Sequence, residues 1–325
     1  MKILACTGKA EVAKVYLAEF EDGQFVEFVE AVQPPIPREE KWVLLVSTLY
    51  GCPVECLICD AGGFYAGKVS KARIFAQIDH IVNQHFPDGV IPCKQFKIQF
   101  SRMGEPAFNK DILDVLEELP QNYTAPGLMP SISSIAPRST ETFFERLLEI
   151  KRALYADGHF QFQFSLHTTD QELRDKLIPV KKWDFARMAA YGERFYQPGD
   201  RKITLNFALA KQVPVDPAVL LTHFDPDKFL IKITPLNPTY SALEHGLTSY
   251  IDPRAETEGY PIINQLEAAG YQVIVSIGEI EENEIGSNCG QYVKKHIKAS
   301  QKLKDGYSYA VEADNRESMG LGLAE

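Results

Sequence analysis

From about residue 40 onward, short runs that are apolar or alternate apolar with polar residues are separated by longer stretches with a helical period. The short runs predict strands at 42–50, 95–102, 128–135, 159–166, 202–209, 229–236 and 271–277. The longer ones predict helices at about 70–84, 110–119, 139–154, 170–177 with 183–196, 215–223 and 254–269. Regular strand–helix alternation builds a parallel sheet through right-handed crossovers, and six or seven units predict an α/β fold of the partial (β/α)6 barrel kind. Upstream, Val12–Leu17 and Phe25–Val29 flank an Asp22-Gly23 turn, the pattern of a β-hairpin. Pro34, Pro35 and Pro37 close it, so the predicted organisation is a hairpin extension at 1–40, a barrel at 41–280, and a C-terminal loop and tail at 281–325.

Two strands alternate in a way that bears on function. Phe160, Phe162 and Phe164 interleave with Gln161, Gln163 and Ser165, and Ile203, Leu205, Phe207 and Leu209 with Thr204 and Asn206. A closed barrel fills its interior with branched apolar residues, so polar inward positions predict an open lumen for a polar ligand. The alternative, an antiparallel sheet with one wet face, conflicts with the intervening helices.

Composition narrows the class. The chain has 325 residues, 45% apolar and 24% charged, as in an ordinary folded, soluble protein. With 34 Lys and Arg against 44 Asp and Glu the net charge is −10, which argues against a surface built throughout to grip a polyanion. No run approaches the ~18 apolar residues of a spanning helix, and the start turns polar too soon for a secretory segment, so a cytoplasmic protein without membrane contact is expected. No Gly-rich phosphate loop follows a strand. The densest basic segment, Lys294 to Lys304, reads as a solvated helix face or as a steering patch for phosphate-bearing substrates, and about 305–325 as a loosely ordered tail.

Cys52, Cys56 and Cys59 stand in a C-x3-C-x2-C arrangement directly after the first barrel strand, with no fourth Cys or His at zinc-finger spacing. Thiolates are soft ligands for zinc or iron–sulfur clusters, and a cubane held by three cysteines leaves one iron open to a further ligand. A structural zinc completed by a distant residue is the competing reading.

The triad resembles that of the radical S-adenosylmethionine (SAM) superfamily, with Ile58 where an aromatic residue is usual. The resemblance narrows to RlmN/Cfr-type RNA adenine methyltransferases along about residues 12–295. It is carried in order by Gly51-Cys52-Pro53-Val54-Glu55-Cys56, Arg102-Met103-Gly104-Glu105-Pro106 with Asn109, Ser131-Ile132-Ser133, Ser165-Leu166-His167 with Glu172-Leu173-Arg174-Asp175, Pro235-Leu236-Asn237-Pro238, and Asn288-Cys289-Gly290-Gln291. It implies a [4Fe-4S] cluster on the triad, and SAM contacts from Gly104, Glu105, Ser133, Ser165, Leu166, His167 and Asn237. Cys289 would be the methyl carrier, presenting its methyl group to a 5′-deoxyadenosyl radical, and Glu27 the proton acceptor. An RNA substrate, ribosomal or transfer, and an external electron donor such as flavodoxin or ferredoxin are implied with it.

The chain departs from the family at two points. The resolving cysteine seven residues before the first cluster Cys is Leu45 here, leaving Cys6 or Cys93 as candidate substitutes. The helical RNA-binding domain that usually precedes the hairpin is not expected, because 51 residues lie before Cys52. Two further readings follow: the same radical chemistry on a peptide, transfer RNA or small molecule, or a non-catalytic metal-binding scaffold.

Overall fold

The structure is a computed structural model that describes residues 1–252, 254, 260–278 and 280–287 and the backbone of 311–313. Three antiparallel strands, β1 (Lys2–Lys9), β2 (Ala13–Glu19) and β3 (Phe25–Ala31), lead into β4 (Trp42–Leu45). A small hairpin of β5 (Leu49–Gly51) and β6 (Tyr65–Lys68) follows, then α1 (Lys71–His85), β7 (Phe96–Gln99), α2 (Asp111–Asn122), β8 (Leu128–Ser134), α3 (Glu141–Leu154) and β9 (Gln161–Ser165). The rest comprises α4 (Gln171–Leu177), α5 (Phe185–Phe195), β10 (Ile203–Leu209), α6 (Pro217–His223), β11 (Phe229–Pro235), α7 (Tyr240–Glu244), α8 (Pro261–Ala268), β12 (Val273–Val275), α9 (Ile280–Ile285) and β13 (Val311–Ala313).

One sheet carries the order β12-β11-β10-β9-β8-β7-β4-β3-β2-β1-β13. Its seven strands from β4 through β12 run parallel, each beside its predecessor, as the alternation predicts. The first of them is flanked by β7 on one side and antiparallel by β3 on the other, so it has no free edge to offer β12 and the sheet forms a partial barrel. The boundary near residue 40 falls between β3 and β4, and the extension gains β1, which pairs with β2.

Side-chain alternation decides which sheet face meets the helices. On β9, Phe162 and Phe164 are buried in the apolar core while Gln161, Gln163 and Ser165 are only partly covered. Leu205 and Phe207 of β10 and Ile231 and Ile233 of β11 join the same core, together with Phe143 and Phe144 of α3 and Met188 of α5. The opposite face is the concave one, and it carries the polar residues expected there. Close helix packing has sequence causes: Asp170, Asp184 and Asp216 cap α4, α5 and α6, and a Cβ at Gly192 would meet the Phe229 ring at 2.5 Å.

Two predicted elements are corrected. The strand expected over 42–50 breaks into β4 and β5, because after Val46 the backbone leaves the main sheet and the amides of Thr48 and Leu49 donate to the Met103 carbonyl. The last long helix starts at Pro261 and not near 254; proline suits a first helical position, where no amide donor is needed.

Candidate active site

Cys52, Cys56 and Cys59 lie in the loop that joins β5 to β6, so the loop's two ends are held together by a strand pair. Gly51, at φ +78°, makes the entry possible: a Cβ there would sit 1.9 Å from the Phe64 carbonyl oxygen, and the next amide, Cys52, donates to that same oxygen. Beneath the hairpin the fully buried Asn109 donates from Nδ2 to the carbonyls of Thr48 (2.8 Å) and Val69 (2.7 Å), tying both strands to the β7–α2 connection.

The loop is fastened on two further sides. Leu57 donates its amide to the Leu177 carbonyl at the end of α4. Asp60, buried completely, accepts from the amides of Tyr240 (3.0 Å) and Ser241 (2.9 Å) at the start of α7, while the Thr239 and Ser241 hydroxyls donate back to the Ile58 and Leu57 carbonyls. These ties hold the loop to the C-terminal ends of the strands, the face on which (β/α) folds bind ligands. Asp60 was missed in the sequence; its only signal is an acid next to the last cysteine.

The thiols share an electronegative pocket in which Cys52 is buried and Cys56 and Cys59 are half-buried. Burial pushes the Cys52 thiol up to about 11, and burial, then Cys59, Cys52 and Glu105, holds the Cys56 thiol well above its ordinary value. Closely spaced thiols, two of which, Cys52 and Cys56, resist ionisation beside a carboxyl, are a donor set that a thiophilic cation stabilises by displacing their protons, so the residues fit an iron–sulfur group. Among the described residues, no group of three His, Cys, Asp or Glu side chains is drawn together as a single metal ion requires.

Glu105 lies in the loop after β7, at the start of a short 3-10 turn over Pro106–Phe108. Its buried carboxyl accepts from the Ser134 hydroxyl (2.5 Å) and from the amides of Ala107 (3.1 Å) and Ile135 (3.0 Å). Burial raises its pKa to about 7 against the pull of these three donors. The preceding Gly104, at φ +105°, leaves room for Leu49, whose Cγ a Cβ would approach to 2.5 Å. Ser133 stands inside β8, one residue before its end, and accepts from Nε2 of Gln163, its register partner on the neighbouring strand β9. Ser165 ends β9, the buried Leu166 follows it, and Asn237 lies half-buried two residues beyond β11.

His167 is buried at φ +66°, with Nδ1 accepting the Ala208 amide at 3.1 Å. Burial, assisted by Arg174, lowers its pKa to about 4, so the ring is neutral at pH 7 and carries its proton on Nε2 as a donor. A depressed histidine costs stability as pH falls from 6.5 toward 4, because the unfolded chain takes the proton first; the shift corresponds to about 3 kcal/mol. Glu105 works with the opposite sign, since its raised pKa makes the fold gain a proton before the unfolded chain between pH 7 and 4.5. Replacing His167 by Asn, which tolerates positive φ, should therefore leave a protein that gains stability relative to wild type between pH 7 and 5, read from urea midpoints. Parallel profiles would show that His167 is not held neutral.

Glu27 of β3 is fully buried and forms an ion pair of 2.7 Å with Arg102, whose side chain is buried as well. The same guanidinium donates to the carbonyls of Ser287 (2.9 Å) and Gly286 (3.0 Å). Cys289, the basic segment after it and the chain end lie outside the described residues, apart from β13. Leu45 ends β4, pairs with Val29 and packs against the apolar cluster to which Val29, Tyr240 and Ile285 belong. Of the candidate substitutes for a second thiol, Cys93 is buried on the approach to β7, at the opposite end of the strands, and Cys6 lies in β1, three strands from β4.

No known protein-family profile matches the chain. Curated relatives do. It is 27% identical over 270 residues to a probable dual-specificity RNA methyltransferase RlmN of Acidothermus cellulolyticus, covering 78% of this chain and 58% of the relative. It is 30% identical over 196 residues to the RlmN of Geobacter sulfurreducens, covering 60% and 49%, and 25% identical over 299 residues to that of Wolinella succinogenes, covering 88% and 78%. The chain thus spans about half the length of the first curated relatives it matches. Among solved structures, a radical SAM methyltransferase from Sphaerobacter thermophilus superposes with a TM-score of 0.63 at 20% identity over 89% of this chain and 80% of that one. Sequence and architecture agree: the chain is similar to the RlmN RNA methyltransferases, it has the fold of a radical SAM methyltransferase, and it is consistent with a member of the RlmN/Cfr type.

Proposed function

We propose that the protein is a radical SAM methyltransferase of the RlmN/Cfr type, in which Cys52, Cys56 and Cys59 hold a [4Fe-4S] cluster, SAM binds at the strand ends beside it, and Cys289 carries the methyl group. When bound, the cluster supplies the electron that cleaves SAM to methionine and a 5′-deoxyadenosyl radical. The protein's own residues prepare the site. Asn109 and Asp60 fix the cysteine loop over the mouth, Glu105 and Ser134 lock the adjoining loops, and His167 offers a neutral N–H donor that adds no charge beside a sulfonium. Burial of Cys52 limits the water that reaches a radical site.

The observation that carries the reading is convergence on Arg102. Two residues after Ser287 comes Cys289, and Arg102 holds Ser287 while belonging to the same connection as Gly104 and Glu105. Glu27 balances the charge of that guanidinium, which supports a holding role for the carboxylate beside the proton-accepting one that the resemblance implies.

Leu45 favours a second reading of the substrate, in which the same chemistry serves a transfer RNA, a peptide or a small molecule. Its surroundings are apolar, Cys6 lies three strands away and Cys93 at the opposite end of the strands. An external electron donor of the flavodoxin or ferredoxin class completes the proposal.

Mass spectrometry of the protein isolated from cells tests the role of Cys289. One methyl-sized increment is expected on its peptide and none in Cys289→Ser. With an adenine-containing RNA substrate, wild type should accumulate a covalent protein–RNA adduct, and Leu45→Cys should release it. Absence of methylation at Cys289 under every expression condition would overturn its role as carrier. Rapid turnover with Cys6 and Cys93 both removed would show that release needs no second thiol.

A further inference from the structure

The concave face of the barrel carries a charge pattern that the cluster chemistry does not use. None of the seven parallel strands contains an Asp or Glu, yet β7 and β11 each contribute a lysine to the inward face, Lys97 and Lys232. Their direction follows from alternation: Phe96 and Ile98 on either side of Lys97, and Ile231 and Ile233 on either side of Lys232, lie in the core under the helices. Lys97 is 8% exposed and makes no hydrogen bond or ion pair among the described residues. A buried amine without a partner tends to give up its proton, and an anion placed against it restores the charge.

The surroundings repeat the sign. The charged groups that act on Lys97 are Lys232, Lys41 and Arg201, all cations, and together with burial they hold its pKa well below the lysine range. Lys41 precedes β4 and Arg201 precedes β10, at the N-terminal end of the strands, opposite the cysteine loop. In a chain of net charge −10, a lumen with only cations on its strands is a local inversion of the overall field. Higher on the same face, Gln163 Oε1 is buried without a partner, an acceptor left for a hydroxyl or amine.

We propose that the barrel lumen is an oxyanion site, in which Lys97 and Lys232 bind the phosphate group of a phosphate monoester and Gln163 Oε1 accepts from a hydroxyl of the same ligand. A nucleoside monophosphate has both features. The anion site stands without the radical chemistry.

Binding is measured on the full-length protein, with and without its iron, by titrating inorganic phosphate or adenosine 5′-monophosphate at ionic strength held constant with chloride. Saturable binding is expected, weakened at least tenfold in Lys97→Met and largely kept in Lys97→Arg. Methionine fills a similar volume without the charge, so the ligand-free variant should melt at or above the wild-type temperature, which separates lost binding from lost fold. Inorganic phosphate binding as tightly as the nucleotide would identify a simple anion site; tighter nucleotide binding would identify a monoester site. Absence of saturable binding by either ligand, or equal affinity in Lys97→Met, would overturn the proposal whether or not the protein cleaves SAM.

Discussion

Cys56→Ala should purify as a folded protein that retains almost no iron and no SAM-cleaving activity. The loop keeps its shape through Asn109, Asp60, Thr239 and Ser241, none of which depends on a thiol, so the melting temperature should shift by no more than an ordinary substitution of about 1 kcal/mol allows. The loss on the chemical side is far larger, because two remaining cysteines cannot hold a cubane. Iron analysis and circular dichroism on the same sample decide it. Full iron occupancy in the variant would remove Cys56 from the ligand set.

Arg102→Met should produce the largest loss of stability in this protein. It removes Arg102 from Glu27, a carboxylate with no exposure to water, and breaking one half of a buried pair costs about 3–5 kcal/mol. It also frees the carbonyls of Gly286 and Ser287. Adding Glu27→Gln should recover most of the stability, since the stranded charge disappears, but not the hold on the segment leading to Cys289. Methylation of Cys289 should therefore stay low in the double variant while its urea midpoint returns toward wild type. Recovery of both together would mean that Arg102 acts on stability alone.

Much of this was legible in the chain. The alternation at Phe162 and Phe164, and again at Leu205 and Phe207, reports a sheet with one face packed on helices and one facing a lumen, and the structure keeps it. The spacing of Cys52, Cys56 and Cys59 located the loop because covalent proximity alone brings such thiols together. What could not be read depends on partners far away in sequence. Thr48 and Leu49 look like a continuing strand until Met103 supplies their acceptor, Glu27 looks like a solvated strand carboxylate until Arg102 arrives 75 residues later, and Lys97 looks like any strand lysine until the sheet curls around it. Asp60 gave no periodic signal, since its role is to cap a five-residue helix 180 positions away.

The triad at this barrel mouth is expected to support reductive cleavage of SAM. The most direct measurement is the formation of 5′-deoxyadenosine by anaerobically reconstituted protein given SAM and a strong one-electron reductant. Wild type should form 5′-deoxyadenosine, and Cys52→Ala, Cys56→Ala and Cys59→Ala should form none. A protein that binds a full complement of iron on the triad yet forms no 5′-deoxyadenosine, or one whose triad takes up zinc in place of iron, would contradict it.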